Sequence, residues 1–280
     1  MMTLADYPPQ EPLSPVAQAY DDRVRALGAG VTAGGEDLAY GSDPYQRMLI
    51  YRSPRPSGAM LAFIHGGGWT NGCKEWMAFM APAVTGAGFD FASIGYRLAP
   101  AHVFPAGFED CADAVALLQA QTGQDSLFLG GHSAGGHYAA LLATRDGWWR
   151  RRGLAANPLS GCLPVSGVYR FGEGSGLSNR PRFLGEGATE AEASPVLGII
   201  DRTTFLIAHG ECDFPHLITQ AEEMAAALQA KEIAVERLVL PGLDHFTASY
   251  HCGETKGAWL DRATAFITRH KRSSSTGRIQ

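Results

Sequence analysis

Short apolar runs alternate along the chain with segments in which apolar residues recur every three or four positions. The short runs predict buried β-strands, and the periodic segments predict helices with one apolar face. Strands are predicted at 61–64, 89–96, 126–129, 162–168, 204–208 and 235–240, and helices at 108–119, 138–144, 217–228 and 258–268. Alternating strands and helices are typical of a mostly parallel central sheet with helices on both faces. The sequence therefore predicts an α/β fold.

Three segments depart from this alternation and divide the chain. Residues 1–45 form an N-terminal extension, with a predicted helix at 16–27 and a glycine-rich, hairpin-like stretch, and we expect it to pack on or near the functional site. The main domain is expected to cover 46–270. Within it, residues 169–200 are rich in Gly, Pro, Arg and Glu and suggest a lid-like insertion. The polar tail at 271–280 is predicted to be disordered.

Composition and charge narrow the class of protein. The chain has 280 residues, of which 45% are hydrophobic and 18% charged, which fits one α/β domain with a large core. The formal net charge is −5, and the positive residues are not gathered into one run. Nucleic-acid binders normally carry a basic patch or stripe, so no nucleic-acid partner is expected. The oligomeric state stays open, with a homodimer as the alternative to a monomer.

The cysteines and the N-terminus indicate the cellular compartment in which the protein is expected. Five cysteines are present, an odd number without CxxC or Cys/His ligand spacing, which favours free thiols over a disulfide framework or a zinc site. The N-terminus lacks a basic region followed by an apolar run, so no secretory signal is predicted. No stretch approaches the length of about 18 apolar residues needed for a membrane span. A cytoplasmic protein is expected.

Gly131-His132-Ser133-Ala134-Gly135 fits the pattern G-x-S-x-G and follows a predicted strand. In this pattern the serine lies on a sharp turn between a strand and a helix, and the flanking glycines avoid clashes of Cβ atoms. The turn also places the serine at a helix N-terminus, where backbone N–H groups face the reacting atoms. A serine hydroxyl becomes a useful nucleophile when a neighbouring base takes its proton. Ser133 is therefore the candidate nucleophile.

A second glycine cluster, His65-Gly66-Gly67-Gly68-Trp69, follows the strand predicted at 61–64. Acyl transfer places negative charge on the former carbonyl oxygen, and fixed backbone N–H groups stabilise that charge. Glycines let the backbone approach closely enough. The expected donors of this oxyanion hole are the amides of Gly67, Gly68 and Ala134, and His65 is expected to brace the loop.

The expected chain order places an acid and then a histidine after the serine. His245 follows the last predicted strand through a short loop and is the preferred base, with His251 and His270 as competitors. The acid should follow the strand at 204–208, where Glu211 and Asp213 are candidates. Asp213 is preferred because Phe-Pro follows it and leads directly into a helix. A buried carboxylate at this place holds the imidazole in one tautomer and stabilises its charged form.

With these motifs in this order, roughly residues 55–270 resemble the esterases, lipases and arylformamidases of the α/β-hydrolase family. The segment YRLAP at 96–100, with FPA at 104–106 and Asp110, resembles hormone-sensitive-lipase-like esterases. Six segments resemble kynurenine formamidase and its carboxylesterase relatives: HGGGW at 65–69, GHSAGGH at 131–137, SGVY at 166–169, FLG at 183–185, SPV at 194–196 and LDHF at 243–246. The resemblance implies the α/β-hydrolase fold. It supports Asp213 and His245, and it supports the three oxyanion donors.

The expected activity is hydrolysis of small carboxylic esters through an acyl-enzyme on Ser133. The alternative enzyme is an arylformamidase that hydrolyses N-formylkynurenine or a related aryl formamide, and a ligand-binding protein of the same fold without turnover is a third hypothesis. The expected partner is a small-molecule ester or formamide, with no metal or organic cofactor. Trp69, Phe171 and Phe246 are candidate walls of the substrate pocket, with plain core packing as the alternative.

Overall fold

The computed structural model describes residues 6–122, 126–173, 175–177 and 182–272. Within these residues eight strands form one sheet: β1 Glu36–Ala39, β2 Arg47–Tyr51, β3 Ala59–Ile64, β4 Asp90–Ile94, β5 Ser126–His132, β6 Leu159–Val165, β7 Phe205–Gly210 and β8 Val235–Leu240. Their order is β1-β2-β4-β3-β5-β6-β7-β8. Strand β2 is antiparallel to β1 and β4, and the other pairings are parallel. The predicted mostly parallel sheet is confirmed.

Helices cover both faces of this sheet: α1 Pro15–Gly28, α2 Ala81–Gly86, α3 Ala106–Thr122, α4 Ala134–Thr144, α5 Glu190–Ala193, α6 Pro215–Ala230, α7 His245–His251 and α8 Ala258–His270. Successive side chains of a strand point to opposite faces. In β3, Met60, Ala62 and Ile64 therefore join a core with α3, α4 and α6. Leu61 and Phe63 join a second core with α1, α2 and α8.

The two unusual segments are built into this body. Strand β1 belongs to the central sheet, so the sheet reaches into the segment predicted as an N-terminal extension. In the predicted insertion at 169–200, Phe171, Phe183 and Leu184 are buried in the core. Residues 174 and 178–181 of that insertion lie outside the described residues. So do residues 1–5 and, from 273 onward, the tail predicted to be disordered.

The topology brings the candidate residues to one edge. The carboxyl ends of parallel strands lie at the same edge of a sheet, which is where open α/β sheets bind ligands. The glycine loop at 65–69 follows β3, Ser133 follows β5, Asp213 follows β7 and His245 follows β8. In the described part of the chain, no helix is both long enough and apolar enough to cross a membrane.

Candidate active site

Ser133 lies between β5 and α4 in a strained backbone conformation. Its φ is 54° and its ψ is −116°, a region that costs a residue with a side chain about 1–3 kcal/mol. The Ser133 amide donates a hydrogen bond to the carbonyl of Val165 at 3.0 Å, which holds the turn in place. The strain is therefore maintained by the surrounding sheet, and it keeps the hydroxyl at the strand edge.

The glycines of the pentapeptide are required by close backbone contacts. A Cβ on Gly135 would lie 2.1 Å from the carbonyl oxygen of Ile64, and one on Gly131 would lie 2.3 Å from the carbonyl carbon of Gly135. Both distances are far shorter than real Cβ contacts, and the opposing atoms belong to the backbone. A larger residue at 135 would force the turn away from the neighbouring strand β3, and one at 131 would collide with the first turn of α4.

A continuous series of hydrogen bonds joins Ser133, His245 and Asp213. The Ser133 Oγ lies 3.0 Å from His245 Nε2, and His245 Nδ1 lies 2.8 Å from Asp213 Oδ1. With Nδ1 protonated towards the carboxylate, Nε2 is left as an acceptor for the serine proton. The structure thus brings together the three residues that the sequence singled out. The arrangement allows the imidazole to take a proton from the hydroxyl.

Asp213 is suited to remain ionised beside the imidazole. Burial raises the pKa of this carboxyl, but the hydrogen bond and charge of His245 lower it, and the net result is a pKa of about 2. The hydroxyl of Ser166 and the amide of Phe214 add to the lowering. The Ser166 hydroxyl is buried close to the carboxylate without forming a regular hydrogen bond. A permanent negative charge therefore faces Nδ1 and favours the charged imidazolium.

The other candidates for acid and base have different partners. Glu211 is exposed and accepts a hydrogen bond from the Gly242 amide at 2.8 Å. His251 pairs with Glu254 at 2.8 Å. Asp244 caps the N-terminus of α7 by accepting from the amide of Thr247 at 2.8 Å, and this cap fixes the first residue of the helix, His245. The neighbour of His245 therefore acts as a helix cap.

The loop after β3 approaches Ser133 through residues that need glycine. Gly67 and Gly68 have φ values of 100° and 60°, and a Cβ on Gly67 would lie 2.1 Å from the carbonyl oxygen of Asn71. Both glycines line the same cavity as Ser133. Ala134 is the first residue of α4, and the first amides of a helix have no partner inside it. The three predicted donors are thus grouped around the serine.

Two buried histidines support this loop and the base. His65 stacks on Tyr96 with ring centroids 4.3 Å apart, and its Nδ1 donates to the Gly66 carbonyl at 2.7 Å. His132 donates from Nε2 to the carbonyl of His245 at 2.9 Å. Burial lowers the pKa of His65 to about 4 and that of His132 to about 3. Both rings are therefore neutral at pH 7, and they hold backbone groups in place.

The cavity that contains Ser133 has a volume of about 470 Å³. Of the three predicted pocket walls, only Phe246 lines it. Trp69 and Phe171 are 2% and 5% exposed, and both pack on Phe183. Trp69 also donates to His137 at 3.1 Å, a buried histidine on α4. Trp69 and Phe171 are therefore not placed as pocket walls: the alternative of core packing describes both.

The described residues of the 169–200 segment also stay away from this cavity. None of them is among its lining residues, whereas Leu184, Gly187 and Glu192 line a separate surface cavity beside the end of α4. The side chain of Gln220 on α6 ties the segment down by accepting from the amides of Tyr169 and Arg170 at 2.7 and 2.9 Å. In its described part the segment is an anchored piece of the body.

The N-terminal segment forms one side of the cavity. Pro12, Leu13, Ser14 and Ala17 line it together with Tyr20 of α1. The Tyr20 hydroxyl lies 2.9 Å from the Ser249 hydroxyl on α7, the helix that begins with His245. The sequence led us to expect the N-terminal segment near the site, but not this particular contact, because it joins residues 229 positions apart.

Phe214 was not predicted as a functional residue, although it directly follows the acid. Its ring is 44% exposed, lines the cavity and lies 4.7 Å from the imidazole of His245 between ring centroids. A phenylalanine directly after the candidate acid Asp213 was the signal available in the sequence. In the part of the chain that the structure describes, no three His, Cys, Asp or Glu side chains are grouped so that they could hold a metal ion.

The fold agrees with comparisons to known proteins. A family model described as alpha/beta hydrolase fold matches residues 61–187. The chain is 31% identical over 224 residues to an ethyl acetate hydrolase of Pseudomonas putida, which covers 70% of this chain and 69% of that protein. The chain belongs to the α/β-hydrolase family. This α/β-hydrolase is also 24% identical over 255 residues to the kynurenine formamidase of Danio rerio, covering 81% of this chain and 83% of that protein.

Among solved structures, this α/β-hydrolase is similar to the hyperthermophilic esterase of the archaeon Pyrobaculum calidifontis. The two share a TM-score of 0.70 with 21% sequence identity, over 91% of this chain and 92% of that chain. At this identity the likeness concerns the fold. The family match at 61–187 contains the glycine loop and Ser133 and ends before Asp213 and His245. The assignment of the acid and the base therefore depends on the hydrogen bonds described above.

Proposed function

We propose that this α/β-hydrolase is a carboxylic-ester hydrolase that works through an acyl-enzyme on Ser133. The observation that carries the proposal is the hydrogen-bonded series of Ser133, His245 and Asp213, with distances of 3.0 and 2.8 Å. These lie within the range that proton transfer to a positioned base requires. The cavity of about 470 Å³ is of the size that small-molecule ligands occupy.

In the proposed mechanism, Ser133 Oγ attacks the carbonyl carbon of the ester while its proton passes to His245 Nε2. The amides of Gly67, Gly68 and Ala134 stabilise the negative oxygen of the tetrahedral intermediate. When the intermediate collapses, the C–O bond to the leaving group breaks and His245 returns the proton to the departing oxygen. Water then attacks the acyl-enzyme with proton transfer to the same imidazole, and the carboxylic acid leaves. Asp213 orients the imidazole and stabilises its charged form.

Hydrolysis of an aryl formamide is the second candidate, with the same residues acting on a C–N bond. It is favoured by the similarity to a relative named kynurenine formamidase. The aromatic rings of Phe214 and Phe246 beside His245 are also compatible with an aromatic amine as leaving group. A ligand-binding role without turnover has less support, because Ser133, His245 and Asp213 are hydrogen-bonded in the order that turnover would need.

The deciding experiment compares kcat/KM for p-nitrophenyl acetate, p-nitrophenyl hexanoate and N-formylkynurenine. Ser133→Ala serves as the blank, and it should lose nearly all activity while keeping its circular dichroism spectrum. A preference for the formamide of about a hundredfold, or about 2.7 kcal/mol of transition-state stabilisation, would favour the formamidase. The reverse preference supports the esterase. Full turnover by Ser133→Ala would overturn the assignment of the nucleophile.

A further inference from the structure

Phe214 is the one aromatic residue of the described cavity lining whose side chain is more than two fifths exposed, at 44%. A ring that is this exposed to water contributes little to the hydrophobic core, so core packing does not explain its position. The backbone amide and the ring of Phe214 each have a defined partner. The Phe214 amide donates to Asp213 Oδ1 at 2.7 Å, and the imidazole of His216 stacks near the ring, with planes 11° apart and centroids 5.8 Å apart.

The position of this ring relates it to one part of the substrate. In the proposed mechanism the leaving group receives its proton from His245 Nε2, so it must lie on the imidazole side of the tetrahedral carbon. The oxyanion lies on the other side, at the amides of the glycine loop. Phe214 and Phe246 both touch the imidazole, with centroid distances of 4.7 and 5.3 Å. The two rings therefore flank the place of the leaving group.

We propose that Phe214 is a specificity-determining residue that stacks on a planar aromatic leaving group, a phenol or an aryl amine. The inference rests on the proposed function, since it uses the direction from which His245 delivers its proton. Phe214 and Phe246 stand nearly perpendicular, at 87°, with centroids 6.4 Å apart. A flat ring that stacks on Phe214 would thus meet Phe246 edge to face, and both geometries are favourable for aromatic pairs.

A fixed aromatic surface selects planar groups for two reasons. Stacking brings the full face of a planar ring into contact, whereas a puckered aliphatic ring of equal size touches at fewer atoms. Because the Phe214 ring already packs against the rings of His216 and His245, little side-chain entropy is lost when the substrate binds. The half-buried Phe246 forms a second wall beside the imidazole, and Tyr20 packs behind it with centroids 5.5 Å apart.

The test compares phenyl acetate with cyclohexyl acetate, which share the acyl group and have leaving groups of similar size. The wild-type protein, Phe214→Leu and Phe214→Tyr are measured with both esters. For each ester, kcat/KM of a variant is divided by that of the wild type, so the intrinsic reactivity of the ester cancels. Phe214→Leu should lower the phenyl-to-cyclohexyl ratio of kcat/KM about fivefold, or about 1 kcal/mol. Phe214→Tyr should keep the wild-type ratio.

Val239 on β8 is the matched control, because its side chain is also 44% exposed and it does not line the cavity. Val239→Ala should leave both values unchanged. If Phe214→Leu lowers kcat/KM equally for both esters, or lowers neither, the proposed role of Phe214 is overturned while the esterase assignment stands. If Ser133→Ala still hydrolyses both esters, the proposed function itself fails.

Discussion

Gln10 and Gly72 form two reciprocal hydrogen bonds between the N-terminal segment and the end of the glycine loop. The Gln10 side-chain amide donates to the Gly72 carbonyl at 2.9 Å, and the Gly72 amide donates to Gln10 Oε1 at 2.8 Å. The next residue, Glu11, accepts through its carbonyl from the side chain of Asn71 at 2.6 Å. The N-terminal segment therefore holds the loop that carries two of the proposed oxyanion donors.

Replacement of Gln10 by alanine should loosen this loop and reduce activity. We expect Gln10→Ala to lower kcat about tenfold with a smaller change in KM, since the oxyanion donors act on the transition state and depend on accurate placement. Steady-state kinetics on an activated ester measure this. Gln18→Ala is the control, because Gln18 is exposed and its side chain bonds to Asp22 on its own helix. Equal kinetics of the two variants would contradict a role for the Gln10 contact.

The contact at Gly135 gives a prediction about stability. Gly135→Ala should lower the free energy of unfolding by about 3 kcal/mol, the upper end for overpacking, since the carbonyl oxygens of Ile64 and His65 would lie 2.1 and 2.5 Å from the new Cβ. Gly86→Ala is the matched control on α2, because a Cβ there meets no atom within 4 Å. Urea denaturation of both variants measures the difference. Similar midpoints would contradict the steric account of the second glycine in the pentapeptide.

The sequence predicted the parts of this fold that local chemistry determines. The motif around Ser133 is readable because a tight turn can be built only from small neighbours. Asp213 follows a strand with a clear apolar run, and His245 follows a strand predicted from alternation. The roles of Trp69 and Phe171 were not readable, because an aromatic residue near a motif can face either the cavity or the core. Which face it takes depends on Phe183, more than a hundred residues from Trp69 along the chain, and such packing leaves no local pattern.

The N-terminal contribution escaped prediction in detail for the same physical reason. A helix at 16–27 could be predicted from its spacing, but its partner could not. Tyr20 reaches the cavity only because α1 packs on the face of the sheet where α7 begins, and the hydroxyl pair with Ser249 joins two elements from opposite ends of the chain. Long-range contacts of this kind set the shape of the cavity, whereas the motifs set its chemistry.

Three buried histidines should make the protein sensitive to mild acid. Burial lowers the pKa of His65 to about 4, and it lowers the pKa values of His132 and His137 to about 3. In the unfolded chain a histidine has a pKa of about 6.5. Below that pH the unfolded state binds more protons than the folded state, so the free energy of unfolding falls as the pH falls, and the decrease continues towards the folded pKa values.

His137 offers the clearest test of this sensitivity, because it lies in the core and donates from Nε2 to the Ala193 carbonyl at 2.6 Å. Removing one such histidine should reduce the pH slope of the free energy of unfolding by about 1.2 kcal/mol per pH unit between pH 6 and 5. Urea denaturation of the wild type and His137→Gln over this range measures the slope, which is independent of any stability that the variant loses at pH 7. His102→Gln is the control, because the His102 side chain is 39% exposed. An unchanged slope in His137→Gln would mean that this imidazole is already charged inside the folded protein. A charged imidazole has no acceptor nitrogen, so the hydrogen bond from Trp69 would then have to be reassigned.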